Sequence, residues 1–102
     1  MSDFHLVLPA EDVPVGTPRG VTVEGMPVCV VRVSEGVFAF DDSCPHRGTP
    51  LSEGSLQGTT LTCSAHTWEF DVTTGKLLRL RAPACLRMRA ARERDGMIEV
   101  AA

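Results

Sequence analysis

The sequence predicts an all-β fold, a small antiparallel sandwich or barrel, and three observations carry that prediction. Apolar residues come in short runs. Glycine-rich turns separate the runs at intervals of roughly 8–12 residues. No stretch holds a helical period over three turns. Taken in order, His5–Leu8 is a short apolar run ended by Pro9. Val21 and Val23 alternate with Thr22 and Glu24, and a turn follows at Gly25. Pro27–Val33 is largely apolar throughout, which suits a strand buried on both faces. Ser34-Glu35-Gly36 turns the chain, and Val37–Phe40 returns as the second arm of a hairpin. Thr60–Cys63 and Trp68–Val72 come next, then a Thr74-Gly75 turn and Lys76–Leu80. Leu86, Met88 and Ala90 alternate with Arg87, Arg89 and Ala91, and an Arg94-Asp95-Gly96 turn leads into Met97–Val100.

A chain of 102 residues is expected to form one domain, 1–102, with one modest core. With 43% apolar residues, 23% charged residues and a net charge of −3, disorder is excluded as the dominant state. No run approaches the about 18 apolar residues of a membrane span. The opening MSDFHLVLPAED lacks a basic n-region and a small-residue cleavage site, so the cytoplasm is the expected compartment. A pI near 5.5 argues against binding a nucleic-acid backbone. In that compartment cysteines stay reduced, and Cys/His clusters point to metal binding or catalysis. Cys44 and Cys63 sit close to histidines. Cys29 and Cys85 do not, and Cys29 reads as a small buried hydrophobe.

Asp41–Gly58 interrupts the alternation with a long polar stretch rich in Gly and Pro, the kind of loop that is usually functional or disordered. It contains Cys44-Pro45-His46, and Cys63-Ser64-Ala65-His66 follows after sixteen residues, a spacing of C-x-H-x16-C-x2-H. Each arm offers one thiolate and one imidazole at the tip of an expected hairpin loop. Such a donor set suits zinc or an iron–sulfur cluster of mixed ligation. Three other readings stand beside the cluster. The residues are incidental, or they hold a structural zinc, although zinc modules favour paired-cysteine arms. Or one pair is a Cys–His nucleophile, which leaves the duplicate unexplained.

The two arms, CPHRGTPLSEG and CSAHTWEFDVTTG, resemble the Rieske [2Fe–2S] motif from the Val37–Phe40 hairpin onward. The resemblance implies a Rieske-type sandwich with a cluster-binding subdomain of two hairpin loops, spanning about residues 41–83. It implies one [2Fe–2S] cluster, with Cys44 and Cys63 on one iron and His46 and His66 on the other. Leu51 resembles a leucine that shields the cluster, though a loop leucine also plugs a core. Trp68 is a neighbour of the site whose shared face with Phe70 reads as core packing. Pro83 resembles part of a third loop that leans over the cluster, and Thr67 departs from the glycine common after the second histidine. Replacing two thiolates by neutral imidazoles removes two negative charges, which raises the reduction potential. High-potential relatives add a disulfide between the arms and hydroxyl donors. Here Thr49 and Ala65 stand at the disulfide positions, Trp68 at the serine position, and the chain has no tyrosine. The resemblance thus implies a midpoint toward the lower end of the about −150 to +300 mV span.

By the same resemblance the chain is an electron carrier, not an enzyme, similar to the ferredoxin component of bacterial multicomponent (toluene-type) aromatic oxygenases. Ferredoxins of ring-hydroxylating dioxygenases are nearly as similar. It would carry single electrons from an NAD(P)H-dependent flavoprotein reductase to a terminal oxygenase acting on aromatic or related hydrocarbons. It is expected to act as a monomer, without nucleic acid or membrane. The alternatives are the small Rieske subunit of an assimilatory nitrite reductase and, from a different class, a zinc-stabilised interaction module. Six of nine arginines (Arg79, Arg81, Arg87, Arg89, Arg92 and Arg94) fall between 79 and 94. They read as a solvated sheet face, or alternatively as a docking surface for an acidic partner. By the same logic Asp41, Asp42 and Glu53 are candidates to dock a basic one.

Overall fold

The structure, a computed structural model, describes residues 4–45, 48–64, 68–79 and 84–101. Among these the chain forms β1 (Phe4–Pro9), β2 (Arg19–Val23), β3 (Met26–Val33), β4 (Gly36–Asp41), β5 (Ser55–Gln57), β6 (Thr60–Thr62), β7 (Glu69–Asp71), β8 (Leu77–Leu78), β9 (Met88–Arg89), β10 (Ala91–Arg94) and β11 (Met97–Ala101). Two short 3-10 turns, Ala10–Asp12 and Leu51–Glu53, complete the regular structure, and no α-helix occurs among the described residues. No helix there is long and apolar enough to cross a membrane. The fold is all-β, as the strand spacing predicts.

Strand β3 organises the molecule. Its residues alternate between two faces, and both faces are buried: Val28 and Val30 belong to one apolar cluster, Cys29, Val31 and Val33 to another. The first cluster draws Ile98 and Val100 from β11, and the second draws Leu56, Leu61 and Phe70 from β5, β6 and β7. The sheet β2-β3-β4-β9 therefore lies between a base sheet, β1-β11-β10, and a site sheet, β5-β6-β7-β8, all paired antiparallel. Two of the tight turns joining these strands use left-handed backbone at both central residues, Glu24-Gly25 (φ 49 and 79) and Asp95-Gly96 (φ 53 and 77). That geometry matches the natural twist of the flanking strands.

Three expectations change. The stretch 41–58 is not wholly loop, because it contains the Leu51–Glu53 turn and β5. A three-residue strand with one buried residue, Leu56, is too short to show a period. The alternation at 86–91 also breaks: Leu86 is buried, but Met88 and Ala90 face solvent while Arg89 turns inward to Asp41. The chain leaves the middle sheet after β9 and enters the base sheet at β10, so the inward face is reset at Ala90. Of the Lys76–Leu80 strand only Leu77–Leu78 is extended in a ladder; Lys76 makes an isolated bridge to Cys85, and Leu80 lies outside the described residues.

Candidate metal centre

The first arm begins where β4 ends. The Asp42 N–H donates to Pro27 O at 3.1 Å, which keeps the chain against β3 as the ladder stops. The Cys44 N–H then reaches forward to Thr49 O at 2.8 Å, and the Gly48 N–H returns to Cys44 O at 2.7 Å. Gly48 has φ 78, a conformation that favours glycine. Beyond Pro50 the chain makes the Leu51–Glu53 turn, which points Leu51 inward at 0% exposure. Gly54 follows because β6 passes close by: a Cβ there would run into the Thr62 carbonyl oxygen.

The second arm repeats the first. It leaves β6, and the Cys63 N–H donates to Trp68 O at 2.8 Å just before β7. In both arms the cysteine N–H is bonded to the carbonyl five residues on, closing a small ring of backbone. The second arm is a hairpin connection between paired strands β6 and β7. The first instead joins β4 of the middle sheet to β5 of the site sheet, since β4 already has partners on both edges. Cys44 and Cys63, each 1% exposed, enter one apolar cluster with Leu51, Leu61 and Phe70. Trp68 packs half-buried on its edge, 6.3 Å from the Phe70 ring. The core-packing reading of that pair holds. His46, His66, Pro83, Ala65 and Thr67 lie outside the described residues.

A carboxylate that the sequence offers only as a candidate for docking fastens the first arm. Asp42 accepts the Ser52 N–H at 2.7 Å and the Ser52 hydroxyl at 2.6 Å, tying the residue two before Cys44 to the residue after Leu51. Its neighbour Asp41 points the other way along β4 and takes Arg89 at 2.6 Å. Neither acid is an open docking charge, whereas Glu53 is exposed. No spacing rule announces a side-chain bond across ten residues.

The remaining cysteines separate cleanly. Cys29 sits in the same buried cluster, where loss of water, and then the Asp42 charge, push its thiol well above the ordinary range. It stays a protonated hydrophobe. Cys85 is exposed, at the base of the 76–85 segment, where it bridges to Lys76. The Leu86 N–H closes that base on Gly75 O at 2.8 Å.

Two soft sulfur donors, buried together at the mouths of two hydrogen-bond-closed arms on a β scaffold, define the class: a small metal-centre module. The donor chemistry fits an iron–sulfur cluster, because both sulfurs are shielded from water while their backbone is fixed. The chain belongs to the Rieske [2Fe–2S] domain family, whose model matches residues 3–90. Membership implies one Rieske-type [2Fe–2S] cluster. The ferredoxin component of the naphthalene 1,2-dioxygenase system of Pseudomonas aeruginosa is 37% identical over 67 residues, 66% of this chain and 64% of the relative. The match thus spans somewhat less than two thirds of that curated relative. A chain of the solved complex of reduced oxygenase and oxidized ferredoxin in carbazole 1,9a-dioxygenase is 32% identical. It superposes with a TM-score of 0.85 over 94% of this chain and 99% of that one. The ferredoxin of carbazole 1,9a-dioxygenase from Nocardioides aromaticivorans IC177 is 27% identical, with a TM-score of 0.88 over 96% of each chain.

Proposed function

We propose that the chain is a Rieske ferredoxin, carrying single electrons from an NAD(P)H-dependent flavoprotein reductase to a terminal oxygenase that acts on aromatic or related hydrocarbons. The observation that carries this reading is the matched pair of arms, with Cys44 and Cys63 buried in one cluster and each bonded five residues forward. In this reading Cys44 and Cys63 hold one iron, and His46 and His66 hold the other. A bound cluster of this kind accepts and releases one electron at a time. The protein's own part is mechanical and electrostatic. The closed arms keep the sulfurs in place, Leu51 keeps water from them, and the Asp42–Ser52 bond holds Leu51 against the core. The likeness to a ferredoxin solved with its oxygenase supports the oxygenase as partner.

The test is composition and spectroscopy. Purified protein should contain about two irons and two acid-labile sulfides, with a rhombic EPR signal appearing only on reduction. Stoichiometric zinc without sulfide would overturn the reading. A redox titration then sharpens it: a midpoint in the lower part of the about −150 to +300 mV span suits transfer from a flavin to an oxygenase. A value above roughly +150 mV, high in that span, rules out this role. Stable co-purification with a large sirohaem subunit would favour the nitrite reductase alternative.

A further inference from the structure

We propose that Asp42 tunes the electron affinity of the metal centre, its carboxylate being a fixed negative charge in the first arm that opposes electron uptake; this rests on the electron-carrier reading above. Asp42 stands two residues before Cys44, so their Cα atoms lie within about 7 Å of each other. The charge is held in place. The Asp42 N–H donates to Pro27 O at 3.1 Å, and its two carboxylate oxygens accept the Ser52 N–H at 2.7 Å and the Ser52 hydroxyl at 2.6 Å. Strand β2 crowds the same pair, since a Cβ on Gly20 would come within 3.0 Å of the Ser52 hydroxyl oxygen and 3.1 Å of Asp42 Oδ2.

No countercharge cancels it. Its neighbour Asp41 pairs with Arg89 at 2.6 Å and with Arg87 at 3.8 Å, so the opposite fields largely offset. Asp42 is held by neutral donors, and among the described residues no Lys, Arg or His pairs with it. It is half-buried, and a partly buried charge is screened much less than an exposed one. Its reach extends into the cysteines' own apolar cluster. Cys29 shares that cluster with Cys44 and Cys63, and its thiol is pushed up first by loss of water and then by the Asp42 charge. A thiolate is disfavoured there for the same reason as a reduced centre: each places a further negative charge near a fixed one. Reduction adds one electron and breaks no bond. A unit charge about 10 Å away, at an effective dielectric of about 20, alters such an equilibrium by roughly ten-fold.

An anaerobic redox titration of the holoprotein at neutral pH reads the effect. Asp42→Asn keeps an oxygen for the Ser52 N–H and an N–H for the Ser52 hydroxyl, and removes only the charge. Its electron uptake should become roughly ten-fold more favourable, an upward midpoint shift of about 59 mV for a one-electron couple. The EPR line positions should stay those of the parent protein, because the ligands are the same. Ser52→Ala keeps the charge and loses the hydroxyl bond, and should stay within about two-fold, since the Coulomb interaction remains. Asp95→Asn makes the same change of net charge at the exposed turn between β10 and β11, where Asn tolerates the left-handed backbone of φ 53. The middle sheet lies between that turn and the site sheet, and sheets pack about 10 Å apart. Screening beyond about 10 Å should therefore keep this variant within about two-fold as well. An unmoved midpoint in Asp42→Asn, or an equal shift in Ser52→Ala or Asp95→Asn, overturns the tuning role and leaves the carrier reading intact. Where Asp42→Asn does not retain iron and sulfide, Asp42→Ser, whose hydroxyl still accepts the Ser52 N–H, is titrated in its place. Failure of both variants to hold a cluster assigns the carboxylate to assembly and overturns the tuning role. Parent protein that purifies without iron and sulfide overturns both readings.

Discussion

The base and the site halves of this molecule are built from the same antiparallel strands but stand on different foundations. On the base side β1, β2, β3 and β11 run five to eight residues and enclose an aliphatic cluster of Val13, Val23, Val28, Val30, Ile98 and Val100. On the site side β5 to β8 are two or three residues each, well under the usual strand of about five to six. Their sheet closes over Leu56, Leu61, Phe70 and the two arm cysteines. The first half has long ladders and an aliphatic core of its own. The second has much less ladder, and is expected to depend on a group held by its arms.

The largest expected effect tests that dependence. Cys44→Ser, or stripping iron with a chelator, should abolish the visible spectrum and lower amide-exchange protection in β5–β8, while β3 and β11 remain protected. Local openings of this kind are expected where ladder and contacts are fewest. Equal loss of protection across both halves would show that the two sides form one cooperative unit.

Next comes a matched pair of core truncations. Leu61→Ala on the site side and Ile98→Ala on the base side each remove a 0%-exposed side chain, at about 2–5 kcal/mol. Denaturant unfolding should show comparable losses. Only Leu61→Ala should also speed cluster release, followed as the decay of visible absorbance, because Leu61 shares its cluster with Cys44 and Cys63. Identical release rates in the two variants would count against the division.

What was legible in the sequence follows the same line. β3 declared itself because an unbroken apolar run has one reading in a sheet with two covered faces. The arms declared themselves because two Cys/His pairs at that spacing form a pattern that side-chain packing does not impose. β5 was hidden, since three residues cannot display alternation. The phase of Met88 and Arg89 was misleading, because the period is a property of one sheet and the chain changes sheets at Ala90. Asp42 looked like surface charge because its partner, Ser52, is set by the turn between them and not by any motif.

That bond supplies a smaller effect, and the base half offers its counterpart. Asp42 and Ser52 are partly buried and joined twice. Arg92 and Glu99 form one contact of 2.5 Å across the edge of the base sheet. Asp42→Ala should cost about 1–3 kcal/mol, as loss of a hydrogen-bonded charge does, and accelerate cluster release. Adding Ser52→Ala to it should cost little more, since both variants break one interaction. Glu99→Ala should stay within about 1 kcal/mol and leave release unchanged. Additive Asp42 and Ser52 effects would mean that the two side chains act separately.

The smallest effects belong to the two thiols outside the arms. Cys85 is exposed and should react with iodoacetamide in the native holoprotein, whereas Cys29, fully buried with its thiolate disfavoured, should not. Cys85→Ala removes a surface atom and should change neither stability nor spectrum. Cys29→Ala leaves a small void beside its cross-strand neighbour Phe40 and should cost about 1 kcal/mol, again with the spectrum unchanged. The distinction is that Cys29 lies on a strand whose backbone is committed to a ladder, paired with Gly20 and Phe40, while Cys44 and Cys63 stand where their strands have ended. A folded Cys29→Ala protein that had lost its colour would show that the cluster reaches through the core to β3, and that the boundary between the two halves is drawn in the wrong place.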